Sequence, residues 1–212
     1  MHHRLRSSLW LVALVAGLNA VAQPREYSNS DEAISALFPG QKLAEWDRTT
    51  GDFNGDGIED LALIITLFYD SEPMQTRLVV LAGSPGGRYA TMSASSKYCD
   101  AQKFFGLEAK GSSLFVTEVH KADADGSTTN SLQFRFNNML ADLELIGREN
   151  IYESFQEKSY GRTSVNYQAG MTIVYERTRG RIKVKERSRF TAPPLARLNG
   201  FDCEKYFDGK PY

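Results

Sequence analysis

The chain has 212 residues, with 25 lysines and arginines against 26 aspartates and glutamates, a formal net charge of −1 and only two cysteines. A balanced charge gives no case for a nucleic-acid partner, which calls for a basic surplus. Two cysteines are too few for a disulfide-dense scaffold or a cysteine metal cluster, and this length can fold as one domain without staples.

The first element is a bacterial-type export signal. His2, His3, Arg4 and Arg6 make a basic start, Leu9 to Leu18 is an uninterrupted apolar run, and Ala20 and Ala22 are the small residues before a cut at Gln23. The apolar run is about half of the ~20 residues that span a bilayer. Residues 1–22 are therefore expected to be removed, leaving residues 23–212 as a single β-rich domain in the periplasm or secreted. No later segment is apolar for long enough to cross a membrane as a helix. In an oxidising compartment Cys99 and Cys203 read as one disulfide. Such a loop of about 100 residues would stabilise by up to ~4.7 kcal/mol in the chain-entropy description.

Residues 30–38 are the best helix candidate. Ser30 can cap it, Asp31 and Glu32 suit its positive end, Ile34, Leu37 and Phe38 share a face, and Pro39-Gly40 stops it. From residue 61 the pattern becomes β. Leu61 to Tyr69 is an apolar, β-branched run suited to burial on both faces. Further strands are expected at 76–81, 88–93, 104–109, 113–121, 128–137, 140–148, 162–168, 171–177 and 181–189, with glycine-marked turns between them. The predicted fold is mainly β. It consists of antiparallel meander sheets, arranged as a sandwich or a partial propeller, with one short N-terminal helix. Pro193-Pro194 sets off a tail that folds back if Cys203 is bridged.

The strongest local signal is Gly51-Asp52-Phe53-Asn54-Gly55-Asp56-Gly57-Ile58-Glu59-Asp60-Leu61. Asp52, Asn54 and Asp56 alternate, so a curled loop aims three oxygens inward; Gly57 permits the turn, Ile58 offers its carbonyl and Asp60 closes the ring. Calcium takes six to eight oxygens in flexible geometry, and this spacing supplies most of them. Glu59 points outward in this scheme. The loop is not an EF-hand, because Leu63 stands at the twelfth position where that motif needs a bidentate glutamate. The bland alternative is an Asn-Gly or Asp-Gly hairpin turn with solvated acids.

The same residues resemble the calcium loop of FG-GAP/VCBS repeats, the blade units of integrin-type β-propellers. The resemblance implies Ca2+ ligands at Asp52, Asn54, Asp56, Asp60 and the Ile58 carbonyl. It implies a Gly-Ala-Pro element after the loop's strand, for which Ala82-Gly83-Ser84-Pro85 is the nearest match. It covers about residues 51–85 in a single copy. Asp123-Ala124-Asp125-Gly126 shares only the middle of the loop, and a full propeller needs several blades of about 40–50 residues.

Residues 181–189 carry Arg181, Lys183, Lys185, Arg187 and Arg189 at odd positions, with Ile182 and Val184 between them. Unbroken alternation would put all five basic side chains on one face. That face is either a ridge for an anionic partner or the solvated side of an edge strand. Catalytic signals are sparse. His120 is the sole histidine beyond the signal, and no Gly-x-Ser-x-Gly or His-Glu-x-x-His run occurs. A carboxylate pair of the glycosidase kind stays open, and Trp46 and the tyrosines could line a glycan site or build a β core. The expected role is an exported calcium-binding module for a macromolecular partner, an acidic protein or an anionic glycan. The alternatives are an inhibitor or immunity protein blocking an exported enzyme, and a carboxylate-dependent glycan hydrolase.

Overall fold

The computed structural model describes residues 25–70, 72–98, 104–123, 126–154, 156 and 158–203. The export signal at 1–22, Cys99, and Ala124-Asp125 of the second acidic turn lie outside these residues. A two-residue strand β1 (Glu26–Tyr27) leads into the helix α1 (Ser30–Leu37). Then come β2 (Lys42–Gly51), β3 (Asp60–Tyr69), β4 (Glu72–Ser84) and β5 (Arg88–Ala94). They form an antiparallel sheet in the order β1-β5-β4-β3-β2. The chain continues through β6 (Phe104–Lys110), β7 (Ser113–Asp123), β8 (Gly126–Asn137), β9 (Asp142–Ser154), β10 (Ser159–Asn166), β11 (Met171–Thr178) and β12 (Arg181–Arg189). These seven pair in sequence order as one antiparallel meander from β6 to β12. Among the described residues the fold is mainly β, in two antiparallel sheets with one short helix and no closed barrel.

β3 is buried on both faces, as its unbroken apolar sequence requires. On one face Ala62 and Ile64 join Leu78 and Val80 of β4. They meet Leu114 and Val116 of β7, Leu132 and Phe134 of β8, and Leu143 and Leu145 of β9. On the other face Leu61, Leu63 and Ile65, with Val79 and Leu81, are covered by Ala33 and Ile34 of α1. α1 is capped by Asn29, whose side-chain oxygen accepts the Glu32 N–H at 2.8 Å. Ser30, the expected cap, is instead the first helical residue. Asn29 has the extended backbone that a cap needs, and Ser28 is held by the Glu32 carboxylate, which fixes the turn one residue earlier.

Three polar ties join parts of the molecule that the apolar pattern leaves unspecified. Asp47 of β2 accepts the Leu107 N–H of β6 at 2.7 Å, stitching the edge of one sheet to the edge of the other. Asp142 accepts from the Ser93 hydroxyl and from the Asn199 N–H, linking β5, β9 and the tail. The tail itself folds back. Leu198 and Phe201 are buried in the inter-sheet core, Leu145 N–H donates to the Ala196 carbonyl at 2.8 Å, and Cys203 N–H donates to the Tyr98 carbonyl at 2.8 Å.

Candidate functional site

The acidic loop joins β2 to β3 and is built from its own side-chain oxygens. Asp52 Oδ1 accepts the N–H groups of Gly55 and Asp56, and its Oδ2 accepts that of Gly57. Asn54 Oδ1 accepts the Asp56 N–H, and Asp56 Oδ1 accepts the Ile58 N–H, each a local bond of the kind that Asx residues make in turns. Gly55 and Gly57 have φ of 78° and 82°, where a side chain would be strained. Asp60 is different in kind. It is fully buried, its Oδ2 accepts from Phe53 and Asn54, and its Oδ1 accepts the Gly83 N–H at 3.0 Å. Burial pushes its carboxyl above the usual aspartate range; the three N–H donors pull it back, and the charge of Asp56 pushes it up again. Glu59 is exposed, as expected.

Ala82-Gly83-Ser84-Pro85 packs on the exit of this loop. A Cβ at Gly83 would lie 2.1 Å from the Glu59 carbonyl oxygen, so only glycine lets β4 approach the loop closely enough to donate to Asp60.

The oxygens of the loop suit a hard cation. A carboxylate offers about four lone-pair sites and a carbonyl two. Against that capacity, Asp52, Asn54, Asp56 and Asp60 each keep at least one site unused after the hydrogen bonds above. Among the described residues none of the three aspartates is ion-paired. Nor do three carboxylate, imidazole or thiol side chains converge as a metal-holding group. The loop's five candidate oxygens include an amide and a backbone carbonyl, so a ring made from them would be a mixed one.

The second feature is the outer face of the seven-stranded sheet. On β7, β8 and β9 alternate residues point into the core, and their neighbours form rows on the far side. One row runs Thr117, Ser131, Glu149, Ser164, Ile173, Arg187 across six strands. The next runs Phe115, Gln133, Gly147, Asn166, Met171, Arg189. Gly147 has no side chain to fill its place, and a cleft of about 280 Å3 opens there, lined by Phe115, Thr117, Ser131, Gln133, Glu149 and Ser164 among others. Glu108 also reaches this cleft. Both carboxylates are engaged by cations, Glu108 by Lys110 at 2.7 Å and Glu149 by Arg162. Arg162 also lies over the Tyr175 ring at 5.1 Å.

The basic strand departs from its expected geometry. A β-bulge lies between the partners of Val174 and Tyr175, so β12 changes face there. Arg187 pairs with Ile173 and Arg189 with Met171, so both continue the outer rows. Lys183 pairs with Glu176 and Arg181 with Thr178, on the opposite face. Lys185, at the bulge, reaches the Glu176 carboxylate at 3.3 Å. The five residues do not form a single ridge, because the extra residue interrupts the alternation on which that expectation rested.

Trp46 sits at the β2 bulge, is 48% exposed and does not line the cleft. The His120 side chain lies outside the described ones. Gly147, Ser131 and Thr117 carry no recognised motif; the one usable hint is a lone glycine inside the apolar strand run Leu143–Arg148, a mark of a bulge or close approach. No helix among the described residues is long and apolar enough to cross a membrane. No family model and no curated protein matches this chain.

Proposed function

We propose that this chain is an exported β domain, stabilised by Ca2+ at an FG-GAP/VCBS-like loop, that binds an anionic glycan on the outer face of its seven-stranded sheet. The observation that carries the binding role is the cleft over Gly147. Its hydroxyls, amide and carboxylate stand in register on one sheet face, whose rows end in Arg187 and Arg189. Sugar hydroxyls need such donors and acceptors, and acidic sugars need the arginines. A protein partner would call instead for large apolar or aromatic anchors at the centre of the patch, and among the cleft's lining residues hydroxyl, amide and charged side chains outnumber the large apolar ones, Phe115, Ile151 and Val165. The hydrolase alternative gains only the presence of Glu108 and Glu149 in the same cleft.

Calcium would be held by Asp52, Asn54, Asp56, Asp60 and the Ile58 carbonyl, and would offset two of the three negative charges that no described cation balances. Export to the periplasm or beyond supplies both the calcium and the oxidising conditions for a Cys99–Cys203 disulfide. The Cys203 N–H bond to the Tyr98 carbonyl supports that pairing, since it brings the two sequence neighbourhoods together.

Two measurements test the reading. In affinity electrophoresis through gels cast with polygalacturonate, the mature protein is retarded and Ser131→Glu, which fills the cleft and adds a negative charge, is not. Equal mobility of the two proteins removes the outer face as the site. Separately, chelation lowers the melting temperature. A ligand at 100 times its Kd adds about 2.7 kcal/mol, worth roughly 5–10 °C for a domain of this size. Asp56→Ala abolishes the calcium dependence. Identical melting in calcium and in chelator leaves the loop a simple turn.

A further inference from the structure

At the end of β3 opposite the acidic loop, a cleft of about 390 Å3 opens between the end of α1 and the β3–β4 hairpin. Its walls are Leu37, Phe38 and Pro39 from the helix end and Leu67, Phe68 and Tyr69 from the strand, and Arg77 of β4 closes one side. Arg77 pairs with Ile65, so it stands on the sheet face that α1 covers. The rest of that face is Leu61, Leu63, Ile65, Val79 and Leu81. A cation at the margin of so apolar a surface calls for a counter-charge, because an unpaired, partly desolvated charge costs free energy.

The described residues supply none. Arg77 donates a single hydrogen bond, from Nη1 to the Ser95 carbonyl at 3.3 Å, and its Nε is buried without a partner. Burial alone lowers its pKa, with no acid acting in the other direction. The nearest carboxylate along the same row is Glu45, which also pairs with Ile65 from the other side, and Glu45 is bonded to Arg48. A guanidinium has five N–H donors in a fork that matches a carboxylate, and Arg77 has most of them to spare.

We propose that this cleft binds a small amphipathic carboxylate, with its apolar chain against Leu37, Phe38 and Leu67 and its head group on the Arg77 guanidinium. The volume lies at the small end of the range for ligand sites, about 300–1,000 Å3, which suits a medium-length alkyl or single-ring acid. The site is separate from the calcium loop and from the outer face of the larger sheet, so it stands or falls independently of the function proposed above.

Calorimetric titration of the mature protein with octanoate tests it, with octanol, octylammonium and inorganic phosphate as comparison probes. The expected result is one octanoate per chain, bound at least tenfold more tightly than any of the other three. Arg77→Gln lowers octanoate affinity at least tenfold, and Arg77→Lys, which keeps the charge and loses the fork, falls between. Octanoate raises the melting temperature of the wild-type protein and leaves that of Arg77→Gln unchanged. Octanol binding as tightly as octanoate makes the cleft merely greasy and overturns the proposal. So does phosphate binding as tightly, an unchanged affinity in Arg77→Gln, or no octanoate binding at millimolar concentration.

Discussion

β3 and β12 are strands of nearly equal length, ten and nine residues, and they live in opposite surroundings. β3 is flanked by a strand on each side and buried on both faces through most of its length. β12 pairs only with β11, and every one of its residues is exposed. β3 pairs along both edges and β12 along one, but the open edge of β12 can hydrogen-bond to water, so the ladder bonds do not by themselves account for the difference in what each contributes. Burial can: apolar area removed from water is worth roughly 25 cal/mol per Å2, and β12 buries little of it. The comparison locates the stability of the molecule in the five-stranded sheet, its helix and the facing half of the larger sheet. It leaves the far strands free to carry charge. The acidic loop belongs to the stable side of this division, because Asp60 is the first residue of β3.

The largest effect is expected where a single side chain serves that stable side most. Asp60→Ala deprives the Phe53, Asn54 and Gly83 N–H groups of their acceptor at once. Two of these donors are buried, and an unsatisfied buried donor costs about 1–3 kcal/mol, so the loss should be at least about 2 kcal/mol in urea unfolding, in calcium and in chelator alike. A loss that vanishes in chelator would make Asp60 a metal ligand with no structural role of its own.

Gly83→Ala tests the same junction from the other side. The new methyl meets the Glu59 carbonyl and forces β4 away from the loop exit. Overpacking of this kind costs typically about 1–3 kcal/mol. Gly147→Ala is the control on the larger sheet. Its Cβ would meet the Val165 carbonyl at 3.2 Å and the Gln133 side chain at 3.3 Å, a contact that a small adjustment relieves. Its stability should change by less than that of Gly83→Ala, and polygalacturonate binding should weaken because the cleft is filled. Equal destabilisation of the two would erase the distinction between the sheets.

How much of this was legible in the sequence follows the same division. β3 was readable because burial on both faces demands an unbroken apolar run, and β11 and β12 because glycines punctuate them. The fold-back of the tail was legible only through Cys203. β2 was missed altogether. Its sequence Lys42-Leu43-Ala44-Glu45-Trp46-Asp47-Arg48 is polar, and the bulge between Glu45 and Asp47 breaks its alternation. It is an edge strand whose place is fixed by pairing with β3 and by the Asp47 bond to Leu107. The loop's side-chain acceptors and its turn glycines could be read from local spacing. The bond that Asp60 accepts from Gly83, 23 residues away, could not. The outer-face rows were invisible for a similar reason, since they join residues from six strands whose register no local pattern encodes.

The smallest effect on stability, and the most discriminating for function, lies on β12. Its bulge separates two pairs of basic residues that alternation would have kept together. Arg187 and Arg189 end the rows of the outer face, whereas Arg181 and Lys183 stand on the other side. Exposed substitutions away from packed groups usually change stability by no more than about 0.5 kcal/mol. The double variants Arg187→Glu/Arg189→Glu and Arg181→Glu/Lys183→Glu should therefore melt within a degree or two of the wild-type protein. Their binding should differ. Reversing the first pair puts two negative charges beside the path of an acidic glycan and should abolish retardation by polygalacturonate. Reversing the second should leave most of it, apart from a general weakening that salt screens within a Debye length of about 8–10 Å. Equal loss in both variants, disappearing together at high salt, would mean that β12 attracts anions only through its net charge and that the face chosen by the bulge does not matter.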